Sequence, residues 1–116
     1  MKQVHKKKES NNEKHCVIDK ITIPANAIAA YTEKAEYIRQ LLYQQAGLLK
    51  YETFQLKGDS GNLKVITVAT WANLEFLDNA KLVIREAMKN RGINMPNFLE
   101  QHGILMERDI YLPVGE

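Results

Sequence analysis

The hydrophobic pattern centres on residues 63–71, Leu-Lys-Val-Ile-Thr-Val-Ala-Thr-Trp, a β-branched and apolar run with no Gly or Pro inside it. Both alternating sets are apolar or weakly polar: Leu63, Val65, Thr67, Ala69 and Trp71 on one side, Ile66, Val68 and Thr70 on the other. A strand of this kind is covered on both faces. Asn73 then offers a side-chain oxygen as a helix cap, and Leu74, Leu77, Ala80, Ile84 and Ala87 recur at helical spacing. A central strand therefore turns at a tryptophan straight into an amphipathic helix, which should end near Arg91, before Gly92.

The flanking segments supply partners for this corner. Residues 15–23 read as a strand closed by Pro24, with Val17, Ile21 and Ile23 on one face and Asp19 among them. Residues 25–46 read as a long helix, with Ala27, Tyr31, Ala35, Ile38, Leu42 and Ala46 along one stripe and Gly47 in the C′ position. A strand over 48–57 and the turn-forming residues 58–62 make a hairpin with the central strand. Pro96 opens a short helical turn within 93–103, and Ile104, Met106, Ile110 and Leu112 alternate along a last strand over 104–112.

With right-handed crossovers, this order predicts a ferredoxin-like α+β domain: a βαββαβ chain with a four-stranded antiparallel sheet and both helices on one face. The other face would carry Ile18, Phe54, Leu56, Ile66 and Val68. A monomer would leave that apolar patch in water, so a homodimer pairing sheet against sheet is expected.

Composition narrows the classes. At 116 residues the chain is expected to form one domain, residues 15–116, behind a disordered basic tail over 1–14. That tail carries five lysines against two glutamates, so the other residues sum to minus one although the net charge is +2. A folded part without basic excess argues against nucleic-acid binding, as does the lack of aromatics in the central strand from Lys64 to Ala69. Cys16 is the only cysteine, which suits a reducing compartment, and no apolar run approaches the ~18 residues of a membrane helix. A cytoplasmic protein with no membrane partner and no secretory leader is expected. His5, His15 and His102 are scattered without metal-ligand spacing, so no metal site is expected.

Three stretches carry a family resemblance. They are Val-Ile-Asp-Lys-Ile-Thr-Ile-Pro at 17–24, Gln-Ala-Gly-Leu-Leu-Lys-Tyr at 45–51, and Ile-Thr-Val-Ala-Thr-Trp-Ala-Asn-Leu-Glu-Phe at 66–76. Across about residues 16–112 the chain resembles the antibiotic biosynthesis monooxygenase family of dimeric α+β barrel proteins. The resemblance implies oxygenation of a phenolic, polycyclic aromatic or quinol-type small molecule by O2, with no cofactor: neither metal, flavin nor haem. An electron-rich substrate, once deprotonated, itself reduces dioxygen. The protein supplies an apolar pocket between helices and sheet, a proton acceptor, and polar groups that hold the anion. Haem-degrading relatives carry an Asn on strand 1, a Trp along helix 2 and a His ligand beyond it. Those places fall here near Asp19, Ala80 and Asn90, so no haem ligand stands where that branch has one.

Within this frame Asp19 is the candidate general base, a carboxylate on an apolar strand face; its alternative role is an ion pair with an arginine such as Arg108. Trp71 is a candidate pocket wall, or core packing at the corner, and His102 a candidate proton shuttle at the mouth of the last strand. Tyr37, Tyr43 and Tyr51 are candidate donors to a bound oxyanion, Tyr37 and Tyr51 foremost, or as a set amphipathic surface or interface residues. Arg91 would hold an anionic substrate or serve the helix dipole, and the resemblance adds Phe76 as a substrate contact. Two function classes follow: a cofactor-independent oxygenase, and a non-redox metabolite-binding or isomerase-type dimer of the same fold.

Overall fold

The computed structural model describes residues 13–56 and 61–115. The chain runs β1 (His15–Ile23), a 3-10 turn (Ala25–Ala27), α1 (Ile28–Tyr43), β2 (Leu48–Leu56), β3 (Leu63–Trp71), α2 (Leu74–Asn90), α3 (Met95–Gln101) and β4 (Leu105–Tyr111). The strands form one antiparallel sheet in the order β2-β3-β1-β4. This is the expected ferredoxin-like α+β fold. The expected tail, apart from residues 13 and 14, lies outside the described residues, as do Lys57 and residues 58–60 of the hairpin.

The first helix is shorter than the periodicity over 25–46 predicts. Pro24 holds an extended backbone, and the next turn closes in the tighter i→i+3 form, with the Ala27 N–H donating to the Pro24 carbonyl at 2.9 Å. At the far end Gln44 and Gln45 donate back to Leu41 and Leu42 at 3.2 and 3.0 Å, again i→i+3. The second helix begins as expected: the Asn73 side chain accepts from the Phe76 N–H at 3.0 Å. Asn94 caps α3 in the same way, accepting from the Asn97 N–H at 3.1 Å.

Strand register decides which residues meet. His15, Val17, Asp19, Ile21 and Ile23 of β1 lie on the helix-covered face beside Val65, Thr67, Ala69 and Trp71 of β3, and all are buried. A bulge between Leu48 and Lys50 inserts Leu49 and shifts the parity of β2, so that both Leu48 and Tyr51 reach the covered face. The core there divides in two. Val17, Ala69, Trp71, Leu77 and Ala80 form one cluster, with Leu42, Leu48 and Tyr51 against it. Ile21, Ile23, Ala27, Val65 and Ile104 form the other, with Ile28, Tyr31 and Phe98 among its neighbours.

Helix α1 contains no fully buried residue. It meets one cluster through Ile28 and Tyr31 and the other through Leu42, while the small Ala35 occupies the middle of the same stripe. The helix thus bridges two apolar pads. On the other side of the sheet Phe54, Leu56 and Ile66 are exposed, Ile66 by 38%. Edge strand β4 is exposed along its whole length; of the alternating set, only Ile104, just ahead of it, is buried.

Candidate active site

Between the two apolar clusters the covered face of the sheet carries a polar row. The register places Thr53 opposite Thr67, Thr67 opposite Asp19, and Asp19 opposite Arg108, so one residue from each strand stands at the same level. The rows on either side are apolar at the centre: Ala69 with Val17, and Val65 with Ile21. A buried carboxylate in such a place needs a partner. Asp19, 8% exposed, has a bidentate one: Arg108 donates from Nε to Oδ1 at 2.7 Å and from Nη2 to Oδ2 at 2.8 Å.

The pair is asymmetric. The Arg108 side chain is 51% exposed while that of Asp19 is 11% exposed, because β4 is an edge strand with an open flank. The hydrogen bonds to Asp19 raise the guanidinium pKa above its ordinary value, against the opposing effect of burial, so Arg108 stays charged.

Two phenols complete the site. Tyr31 on α1 has its pKa pushed up from 10.0 to about 12, first by burial, then by the charges of Tyr51 and Asp19, with Arg39 pulling the other way. Tyr51 on β2 is also raised, again first by burial, against hydrogen bonds with Thr53 and Thr67 that lower it. Both hydroxyls are therefore protonated at neutral pH and available as donors. A carboxylate, a guanidinium and two neutral phenols thus gather between apolar walls beneath α1. Such a set can accept a proton and hold an oxygen anion.

The other sequence-predicted residues distribute differently. Asp19 and Tyr51 share the site. Trp71, 2% exposed, lies in the cluster against which Tyr51 packs, forming one apolar wall. Phe76 is spent on Gly47: a Cβ built on that glycine would fall 2.2 Å from the Phe76 Cγ, so the ring lies directly against the backbone. The Arg91 guanidinium stacks over the Tyr37 ring at 4.3 Å, pairing the two with each other. The His102 ring lies 4.4 Å from that of Phe98, and its Nδ1 is 2.9 Å from the Phe98 carbonyl, beside the second cluster. Tyr43 makes an edge-on contact with Tyr51 at 6.0 Å.

Sequence reasoning did not assign roles to Tyr31 or Thr67, and it considered Arg108 only as a partner. Tyr31 sits on the predicted inner stripe of the helix, and counting back along equal strands places Arg108 opposite Asp19, so the signals were present. A concavity of about 550 Å3 lies elsewhere, lined mainly by residues of the helix-free face such as Lys20, Phe54, Ile66 and Glu107. Among the described residues no helix is long and apolar enough to cross a membrane.

No family model and no curated protein matches the chain. Solved structures do. A candidate monooxygenase from Shewanella loihica PV-4 superposes with a TM-score of 0.68 at 20% identity, over 90% of this chain and 97% of that one. A dimeric ferredoxin-like protein from an uncultured marine organism gives 0.64 at 12% identity, over 90% and 98%. SnoaB, a cofactor-independent oxygenase from Streptomyces nogalater, gives 0.56 at 12% identity, over 90% and 96%. At these identities the likeness is one of fold, and it extends over nearly the whole of each neighbour.

Proposed function

We propose that this chain is a cofactor-independent monooxygenase that oxidises a phenolic, polycyclic aromatic or quinol-type small molecule with O2, working as a homodimer. The observation that carries the reading is the pairing of the buried Asp19 carboxylate with Arg108, set with Tyr31 and Tyr51 between two apolar clusters. In this reading a flat aromatic substrate lies between the two apolar clusters with its acidic hydroxyl beside the polar row. The fold shared with SnoaB and with the candidate monooxygenase supports the reaction class, and the dimeric neighbour supports the assembly. The exposed Phe54, Leu56 and Ile66 supply the surface for pairing.

In this reading Asp19 accepts the substrate proton, using lone pairs that Arg108 leaves open. Tyr31 and Tyr51 donate to the resulting oxyanion, and Trp71 and its neighbours keep water from it. The anion gives one electron to O2, and the radical pair combines into a substrate peroxide. Asp19 returns its proton to the peroxide, and in a substrate such as an anthrone loss of water then turns the CH2 into a carbonyl, one oxygen atom entering the product and the other leaving as water.

The test is oxygen uptake by the purified protein with a hydroxylated anthrone, without added metal, flavin or nicotinamide. Asp19→Asn keeps the shape and removes the base, so the rate should fall by roughly 10²–10⁴-fold. An Asp19→Asn protein with the wild-type rate removes Asp19 from the chemistry. Uptake no faster than in buffer, for the wild type and every quinol tried, overturns the oxygenase reading.

A further inference from the structure

Arg108 is placed as more than a counter-ion. A guanidinium has five N–H donors in a rigid fork. The contact with Asp19 uses Nε and one hydrogen on Nη2, which leaves the Nη1 edge and the second Nη2 hydrogen unspent by that carboxylate. The side chain is half-exposed while its partner is buried, and it stands on an edge strand exposed along its length. The charge is held at one level of the sheet, between the Val17–Ile110 and Ile21–Met106 pairs of the flanking rows. A half-exposed cation held by a buried carboxylate, with donors that carboxylate does not use and apolar residues on both sides, suits an anionic oxygen on a hydrophobic body.

We infer that Arg108 holds the anion of this site together with Tyr31 and Tyr51, and that it changes partner during turnover, from Asp19 to the substrate oxyanion. The turnover part rests on the oxygenase reading; the binding part stands without it. The substrate O–H bond breaks and an O–H bond forms on Asp19, so the negative charge passes from the carboxylate to the substrate oxygen. Total charge is unchanged, and the guanidinium follows the charge. Asp19 thus has two roles: it holds the fork of Arg108 in place before reaction, and its neutralisation releases that fork to the product of the proton transfer. An anion that arrives already ionised must compete with Asp19 for the same guanidinium.

That competition separates this role from a structural ion pair. Trp71 is the only tryptophan in the chain and lies in the apolar wall, so quenching of its fluorescence reports occupancy. The probe is hydroxyanthraquinone, which O2 does not oxidise, titrated at a pH where its phenol is ionised, with its O-methyl ether as the neutral comparison. The wild type should bind the anion roughly tenfold or more tighter than the ether, the scale of a charged hydrogen bond. Asp19→Asn should bind the anion tighter than the wild type, since the competing charge is gone, while turnover of the anthrone is lost. Arg108→Lys keeps the charge but not the fork and should weaken the anion by about tenfold with little effect on the ether.

Removing Arg108 altogether leaves Asp19 buried and unpaired, and that protein can fail to fold. The double variant Asp19→Asn, Arg108→Gln avoids this; it should bind the ether as the wild type does and lose the preference for the anion. The inference is overturned if Asp19→Asn and Arg108→Lys weaken the anion alike, or if the ether binds the wild type as well as the anion does. A wild type that shows the expected binding pattern but consumes no oxygen overturns the oxygenase reading and leaves the role of Arg108 in binding standing.

Discussion

Gly47 is where the covalent chain leaves least freedom, and Gly47→Ala turns that into a measurable cost. The residue has φ +87, a backbone region that L side chains occupy at a cost of about 1–2 kcal/mol. A methyl added there meets Phe76 at 2.2 Å from Cγ, 2.4 Å from Cβ and 2.6 Å from Cδ2. A change of χ1 moves Cγ and Cδ2, but the Cβ is fixed by the backbone, so no rotamer removes the whole contact. The first turn of α2 cannot yield cheaply either: the Ala72 N–H donates to the Gly47 carbonyl at 2.8 Å, and Asn73 caps the helix at Phe76. Overpacking of this kind adds about 1–3 kcal/mol. The sum is about 3 kcal/mol. Gly92 is the control, since it has φ +71 and nothing within 4 Å of the added carbon. Gly92→Ala should cost the backbone part alone, about 1 kcal/mol. Urea unfolding of the two variants should therefore differ by about 2 kcal/mol, and Phe76→Ala placed on Gly47→Ala should recover only the part of the clash that belongs to the ring, since the Cβ stays 2.4 Å from the added methyl. Equal destabilisation by Gly47→Ala and Gly92→Ala refutes the close approach of Phe76 to Gly47.

Two further predictions follow from burial. Tyr31 has a folded pKa of about 12 against 10.0, so both states are neutral below pH 10 and only the unfolded phenol ionises as the pH climbs from there. The unfolded state then binds fewer protons, and stability must fall between about pH 10 and about 12; Tyr31→Phe should flatten that decline in urea midpoints, and an identical decline would refute the buried phenol. Ile66→Asp places a charge in the middle of the exposed apolar face and should convert a dimer of this 13.3 kDa chain into monomers in light scattering, with helical circular dichroism retained. Monomers of the unaltered protein at micromolar concentration would remove the face-to-face dimer.

The fold was legible because its periodicities do not conflict. A period of two runs through β1 and β3, a period near 3.6 through α1 and α2, and the punctuation by Pro24, Gly47, Asn73, Gly92 and Gly103 falls at element ends. The two misjudged boundaries lie where local chemistry competes with the stripe. After Pro24 the chain takes a 3-10 turn before it becomes α-helical, and beyond Tyr43 the amides of Gln44 and Gln45 turn back early. Neither event changes which residues are apolar, so a pattern of apolar positions does not register them.

The site was legible only in part, and the reason is geometric. Asp19 stands out in one dimension because it interrupts an apolar face. Its environment does not, because Arg108, Thr67 and Tyr51 come from three other strands and meet it only through register. Tyr31 joins them from the helix above. Residues that looked equally promising in the sequence, Phe76 and Arg91, are occupied elsewhere, the one against Gly47 and the other over Tyr37. A polar row across a sheet is costly to keep in a core. Replacing a buried ion pair by apolar residues of like volume is often neutral or stabilising. Thr67 and Asp19 split what would otherwise be one continuous apolar core from Trp71 to Ile23. Stability alone therefore does not account for the row, whereas the proposed chemistry, which takes up a proton and holds an oxyanion, uses both the carboxylate and the guanidinium.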